Sequence, residues 1–376
     1  MMALPGVRSS SNERAPFHVH PAEAVSRTSP YRPALRDGPL EERQGEIIKL
    51  DSNEADTRPS PLVYDRIREF LVTGHLNWYP DLEAARLRES LSGYTSRPPG
   101  QIRVYNGSDS ALESICRTFL EKGDHVVISS PTYDNFRVFA EGLGARAEFA
   151  FAPRLLDSNA RELVRAVTSA TKLVYLCNPD NPTGRTYDEE TVGRLLEVLR
   201  NGILVVDEAY FEFSRITMDG LRDRYPHLVI TRTFSKAFGL AALRCGYVLA
   251  DERCLGLMDR IRNGKDVNAL AQVAAVAALE DPGHMEAFVA EVDAAKALLL
   301  AELPPMGFEV LSTPANFILL KTADPAAFAR ELRTHDVYVR DRSDTPQLGD
   351  FVRVTVGTLE HCRRLLEILK RHAPNS

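Results

Sequence analysis

Between residues 125 and 250 the chain repeats one pattern, and that pattern leaves few folds open. Short, mainly apolar runs at His125–Ser129, Ala145–Phe149, Lys172–Cys177, Ile203–Asp207, Val229–Thr233 and Cys245–Ala250 read as strands. Stretches of helical period at Ser110–Glu121, Tyr133–Gly142, Asn159–Ala166 and Asp188–Arg200 precede or separate the first four of them. A strand that does not alternate strictly is apolar on both faces and needs cover on both. The pattern therefore predicts an α/β fold with a mostly parallel sheet sheathed by helices.

Beyond that core a helical stretch runs from Ala269 to about Leu303, broken at Asp281–Gly283 by Pro282. Candidate strands at Asn316–Leu320 and Phe351–Val356 then bracket a helix at Pro325–His335, and a helix at Leu359–Arg371 closes the chain. These elements suggest a further, smaller domain. A length of 376 residues suits a large domain and a small one. Residues 1–25, rich in Ser, Pro and charge, are expected to form a mobile tail.

Composition excludes several classes of partner. Forty-six Lys and Arg against 52 Asp and Glu form no long block of one sign, so neither a nucleic-acid groove nor an anionic membrane patch is expected. The apolar stretch Ala269–Leu279 is far shorter than the ~20 residues that span a bilayer. The first residues lack an apolar signal-peptide core, so a cytoplasmic protein is expected. Five widely spaced cysteines indicate neither a disulfide framework nor a CxxC metal site, and His18 and His20 lack the partners a metal needs. Small soluble partners remain.

Four segments lie at strand ends or helix starts, where open α/β sheets place ligands. In YNGSDSALE, residues 105–113, Gly107 permits a tight turn, and the free N–H groups at the helix start beside Ser108 and Asp109 can accept a phosphate or simply be capped. In CNPDNPTG, residues 177–184, prolines and a glycine hold Asn181 on a rigid path, which is either a turn or a ligand contact. In LVVDEAY, residues 204–210, Asp207 ends an otherwise uncharged strand and needs a cation or a ligand group. In TRTFSKAFGLAALRCG, residues 231–246, Lys236 follows a strand and Ser235, with Arg244 eight residues on. Alone it reads as a solvated lysine. An amine among apolar groups near a cation, however, becomes nucleophilic toward a carbonyl.

One cofactor asks for all four. Pyridoxal 5′-phosphate needs an amine for its aldehyde, an acid for its ring nitrogen and donors for its phosphate.

The same text resembles the class I/II aminotransferases of fold type I, and within them the histidinol-phosphate aminotransferase branch. The resemblance runs through SPYRPALRDG at 29–38, KLDSNE at 49–54, WYPD at 78–81, YNGSDSALE at 105–113, LCNPDNPTG at 176–184, VVDEAYFEFS at 205–214, RTFSKAFGLAALRCGY at 232–247, VYVRD at 337–341 and FVRVTVGT at 351–358. It implies a large domain with a mostly parallel seven-stranded sheet between helices, over 49–270, and a connecting helix with a smaller α+β C-terminal domain over 271–376. Residues 26–48 would be a substrate-covering arm.

It also implies residue roles. Lys236 resembles the Schiff-base lysine that also carries the substrate proton, and Asp207 the partner of the ring nitrogen. Asn181 and Tyr210 would hold the ring oxygen, and Tyr133 would stack on the ring. The Ser108 and Asp109 amides, Ser235 and Arg244 would take the phosphate. Tyr79 would reach the phosphate of a partner subunit, which implies a homodimer with shared sites. Arg353 and Arg340 would clamp the substrate carboxylate or phosphate, and Tyr31 would help to cover it.

The implied reaction moves an amino group from an amino acid, glutamate by resemblance, to a keto or aldehyde acceptor. The acceptor would be histidinol-phosphate-like or a specialised biosynthetic compound. A decarboxylase of an O-phosphorylated amino acid, another lyase or oxidase of this fold, and a cofactor-binding dimer without turnover are the alternatives. RNGKDVN at 262–268 departs from the family's Arg-x-Pro-Tyr-Asn-Val-Asn at Lys265 and Asp266, and Ser110 stands where an acid is common. These departures leave the substrate open.

Overall fold

The computed structural model describes residues 20–31 and 47–372. Most of the expected tail and of the expected covering arm lies outside the described residues.

Twelve strands are described: β1 (Ile48–Leu50), β2 (Ile102–Tyr105), β3 (His125–Ser130), β4 (Arg146–Phe151), β5 (Thr171–Cys177), β6 (Ile203–Asp207), β7 (Leu228–Thr233), β8 (Gly246–Leu249), β9 (Val310–Ser312), β10 (Phe317–Lys321), β11 (Val337–Asp341) and β12 (Phe351–Thr355). Seven of them form one sheet in the order β2-β8-β7-β6-β5-β3-β4, and five form a second in the order β1-β11-β12-β10-β9. In the large sheet β8 alone runs against its neighbours, so the sheet is mostly parallel, as expected. The fold is the α/β fold type I architecture, with a smaller C-terminal sheet.

Alternation sorts the large sheet's side chains into two cores. Val127, Val174, Leu204, Val206 and Ile230 face one apolar cluster. Val126, Ile128, Leu173, Val205 and Val229 face the other. Each such side chain, fully buried, contributes on the order of 1.5–3 kcal/mol, which is why the sheet must be covered on both sides. The helix Gly107–Phe119 supplies part of that cover through Ala111, Leu112, Ile115 and Cys116, spaced to share one face.

Several elements carry too little local signal to be seen in the sequence. The helix Ala85–Thr95 buries only Leu87 and Leu91, and its N-cap residue, Ala84, offers no side-chain cap. The strands β1 and β9 are three residues long. β1 pairs in parallel with β11 through Ile48↔Val337 and Leu50↔Val339, so residues 48–50 belong to the small sheet. The stretch from 269 splits as the proline implied, into helices Ala269–Glu280 and Pro282–Glu302. Among the described residues no helix is long and apolar enough to cross a membrane.

Candidate active site

A cleft of about 1130 Å³ opens between the ends of the large sheet's strands and the small sheet. Lys236, Asp109, Tyr133, Asn181, Ser235, Arg244, Arg340, Arg353 and Tyr31 all line it. Its volume exceeds that of a single small-ligand pocket, as a site for a cofactor and a substrate together requires.

Lys236 sits in the turn after β7, between the buried side chains of Phe234, Ala237 and Phe238. Its Nζ donates to the Ser52 carbonyl at 3.1 Å. Burial, then the neighbouring Arg353 guanidinium, pushes the ammonium down to about 8. An appreciable fraction is therefore the free amine near neutral pH.

Asp207 ends β6 in the middle of the sheet and is buried. Thr231 is its register partner on β7, and its Oγ1 donates to Oδ1 at 3.0 Å. Tyr175, two residues before the other register partner Cys177, donates its hydroxyl to Oδ2 at 3.1 Å. Hydrogen bonds from two neutral hydroxyls do not neutralise a carboxylate. Burial raises Asp207 to about 7, against the lowering effect of those two hydroxyls. A buried acid in this state calls for a cation from a ligand.

The anion cradle forms where the helix Gly107–Phe119 begins. No side chain caps that helix, and its first-turn amides and dipole favour an anion. Arg244 reaches across it: Nη2 donates to Asp109 Oδ2 at 3.2 Å and Nη1 to Ser235 Oγ at 3.4 Å. Two glycines make the approach possible. At Gly107, with φ +83°, a Cβ would lie 2.6 Å from Arg244 Nη2, and at Gly246 one would lie 2.6 Å from the Ser108 amide nitrogen. Gly107→Ala is therefore expected to push Arg244 out of the cradle and strain the turn. Cofactor affinity, titrated by absorbance after dialysis, should fall by about 10-fold or more.

On the opposite wall Arg353 donates to Asn181 Oδ1 at 2.6 Å through Nη1 and to the Asp51 carbonyl at 2.6 Å through Nη2. Asn181 thus keeps its amide N–H groups for a ligand. The Tyr210 hydroxyl accepts from Asn53 Nδ2 at 2.9 Å and keeps its own proton to donate. Tyr133 donates to Asp109 Oδ1 at 2.8 Å, and its ring meets that of Tyr31 edge-on at 5.9 Å.

Ser108, Asp207 and Tyr210 do not line the cleft; Asp207 and Tyr210 are buried. Tyr79 is likewise absent from the cleft of its own chain. It is 76% exposed, beside Leu76 and Trp78 at 64% and 66%. Lys265 Nζ lies 4.3 Å over its ring. Asp266 does not line the cleft either; its Oδ2 accepts from Ser110 Oγ at 3.1 Å, so these two departures contact one another. Sequence reading missed Asn53, Thr231 and Tyr175, which hold Tyr210 and Asp207. Asn53 lay within the KLDSNE motif, whereas the two hydroxyls had no signal except adjacency in the sheet.

Pyridoxal 5′-phosphate offers an aldehyde, a ring nitrogen and a phosphate, and the amine, the buried carboxylate and the cradle match them in kind. Fold and site together define a pyridoxal-phosphate enzyme. The model of the family described as aminotransferase class I and II matches residues 45–369, and the chain belongs to that family of aminotransferases.

The chain is 36% identical over 337 residues to a dihydroxyacetone phosphate transaminase of Campylobacter jejuni, covering 88% of this chain and 91% of the relative. It is 36% identical over 361 residues to histidinol-phosphate aminotransferase 2 of Carboxydothermus hydrogenoformans, covering 93% and 98%. Among solved structures, the histidinol-phosphate aminotransferase of Sinorhizobium meliloti, in complex with pyridoxal 5′-phosphate, superposes with a TM-score of 0.82. It is 26% identical, and the match covers 97% of this chain and all of that one.

Proposed function

We propose that the enzyme moves an amino group from glutamate to a small keto or aldehyde acceptor that carries a phosphate. The observation that carries this reading is the facing arrangement of Lys236 and Arg353. A nucleophilic amine on the large sheet looks across one cleft at a buried guanidinium on the small one, so an anion held by the second aligns a carbon with the first. The two transaminase relatives above are named for substrates that are phosphate monoesters.

Bound in the cradle, pyridoxal 5′-phosphate supplies the electron sink for the pair left when a substrate Cα–H bond breaks. The remaining work belongs to the chain. Lys236 would hold the aldehyde carbon and, when its amine is free, would take the substrate Cα proton on Nζ and deliver it to the former aldehyde carbon, two atoms further along. Asp207, ionised beside a ring N–H, keeps that nitrogen protonated. Asn181 and Tyr210 would donate to the ring oxygen, and Tyr133 would pack against the ring. The Ser108 and Asp109 amides, the Ser235 hydroxyl and Arg244 hold the phosphate. Arg353 and Arg340 orient the substrate by its anionic end, and Tyr31 helps to close the cleft against water.

The exposed Leu76, Trp78 and Tyr79 support a homodimer in which Tyr79 serves the partner's site. The division into a large domain over 49–270 and a small one over 271–376, with residues 48–50 crossing to the small sheet, belongs to the same proposal.

A donor panel tests the reading. Holoenzyme mixed with single amino compounds should lose its cofactor colour with glutamate and with a phosphorylated amine such as histidinol phosphate, and 2-oxoglutarate should restore it. Release of carbon dioxide without restoration by any keto acid would replace transamination with decarboxylation.

A further inference from the structure

A third arginine, Arg342, lines the same cleft and has no part in the roles given so far. Arg340 on β11 stands directly opposite Arg353 on β12, which puts both side chains on one face of the small sheet. Val352 and Val354, the alternates of Arg353, belong to the main apolar core, so the arginine face is the one turned to the cleft. Arg342 follows Arg340 by two residues. Its amide still donates to the Phe351 carbonyl at 3.2 Å, so the extended period carries its side chain to that face as well.

Three guanidiniums at neighbouring positions on one face repel one another, an arrangement that destabilises a sheet unless something opposes it. The Nε atoms of Arg342 and Arg353 are both buried without a hydrogen-bond partner. Burial, then Arg353 and Arg340, makes the charged form of Arg342 costly, and Asp344 offsets this only in part. Asp344 itself is exposed. An anion of more than one charge held on this face would relieve the cost that Arg342 and Arg353 carry.

We propose that Arg342 is a specificity-determining residue that joins Arg340 and Arg353 in holding the dianionic group of a phosphate-monoester substrate. A phosphate monoester carries close to two negative charges at neutral pH and three terminal oxygens, enough for three planar forks. A carboxylate, with one charge and two oxygens, engages Arg353 and Arg340 and leaves Arg342 aside. Arg342 therefore acts in the half of the reaction that handles the phosphorylated partner and not in the half that handles glutamate. The assignment rests on the transaminase reading above.

Holoenzymes of the wild type, Arg342→Gln and Arg342→Lys, each checked for an unchanged melting profile, test it with inorganic phosphate and glutamate as probes. Arg342→Gln is expected to weaken inhibition of the glutamate half-reaction by inorganic phosphate about 10-fold or more. The KM for histidinol phosphate should rise by a similar factor, while the KM for glutamate stays within about 2-fold. Arg342→Lys should fall between, since it keeps the charge and loses the fork. Unchanged inhibition by phosphate, or an equal loss toward phosphate and glutamate, would overturn the proposal while leaving the transaminase reading intact. Arg342-dependent phosphate binding, read by calorimetry, in an enzyme whose colour no amino donor removes would sink the transaminase reading and keep the anion site.

Discussion

Lys236→Ala is expected to lower turnover by at least about 10³-fold, because it removes both the covalent anchor of the cofactor and the base that moves the substrate proton. The fold should survive. The Lys236 side chain donates one hydrogen bond, to the Ser52 carbonyl, and the apolar packing of its turn comes from Phe234, Ala237 and Phe238. Borohydride reduction followed by peptide mapping checks the result directly: a pyridoxyl group should appear on the wild-type peptide containing residue 236 and on no peptide of the variant. The pH dependence is a second check. With the ammonium lowered to about 8, the rate at which the cofactor-free wild type captures pyridoxal phosphate should rise with pH and level off above about 8. The variant should lose that rise. A pyridoxyl group at any other lysine would remove the basis for every role proposed above.

Asp207→Asn is expected to act in opposite directions on activity and on stability. Turnover should fall by about 10²–10³-fold, since a neutral amide cannot hold the ring nitrogen protonated, and cofactor retention should weaken. The cofactor-free protein should become more stable. In the unfolded chain this carboxyl titrates near its ordinary value of about 3.9; in the fold, burial raises it to about 7. Between those values the folded state binds more protons than the unfolded one. The stability associated with the protonated acid is thus fully present below about pH 4 and is lost as pH rises through 7. At pH 7.5 the variant should exceed the wild type by on the order of 1–4 kcal/mol in denaturant titrations, and below pH 4 the difference should vanish. Glu212, also raised to about 7 by burial, contributes the same trend to both proteins and cancels in the comparison. Equal stability of the two cofactor-free proteins at pH 7.5 would mean that Asp207 carries no unpaired charge, and the case for a cationic ring beside it would fail.

The two residues with the largest expected effects were also the most legible. Asp207 ends the uninterrupted apolar run Ile203–Val206, and Lys236 lies three residues past the end of β7; a polar group at such a point is displayed at the sheet's carboxyl edge whatever the rest of the fold does. The cradle was legible for a related reason, since Gly107 and the helix after it are adjacent in the chain. Strands β3, β5, β6, β7 and β8 were visible because a strand buried on both faces writes its environment into four or more consecutive residues, whereas the short edge strand β2 was not read.

What depends on distant segments could not be read in this way. Asn53 meets Thr355 across 302 positions and Tyr210 across 157, and Arg353 meets Asn181 across 172. The crossing of residues 48–50 into the small sheet and the placing of Arg340 opposite Arg353 follow from strand register, which is set by which side chains fill the space between layers. Arg342 shows the difference most clearly. As text it is one more charged residue after a strand. Only the pairing of β11 with β12 turns it into the cleft beside two others, because the face a side chain occupies is local to its strand, while what that face looks upon is decided by the packing of the whole.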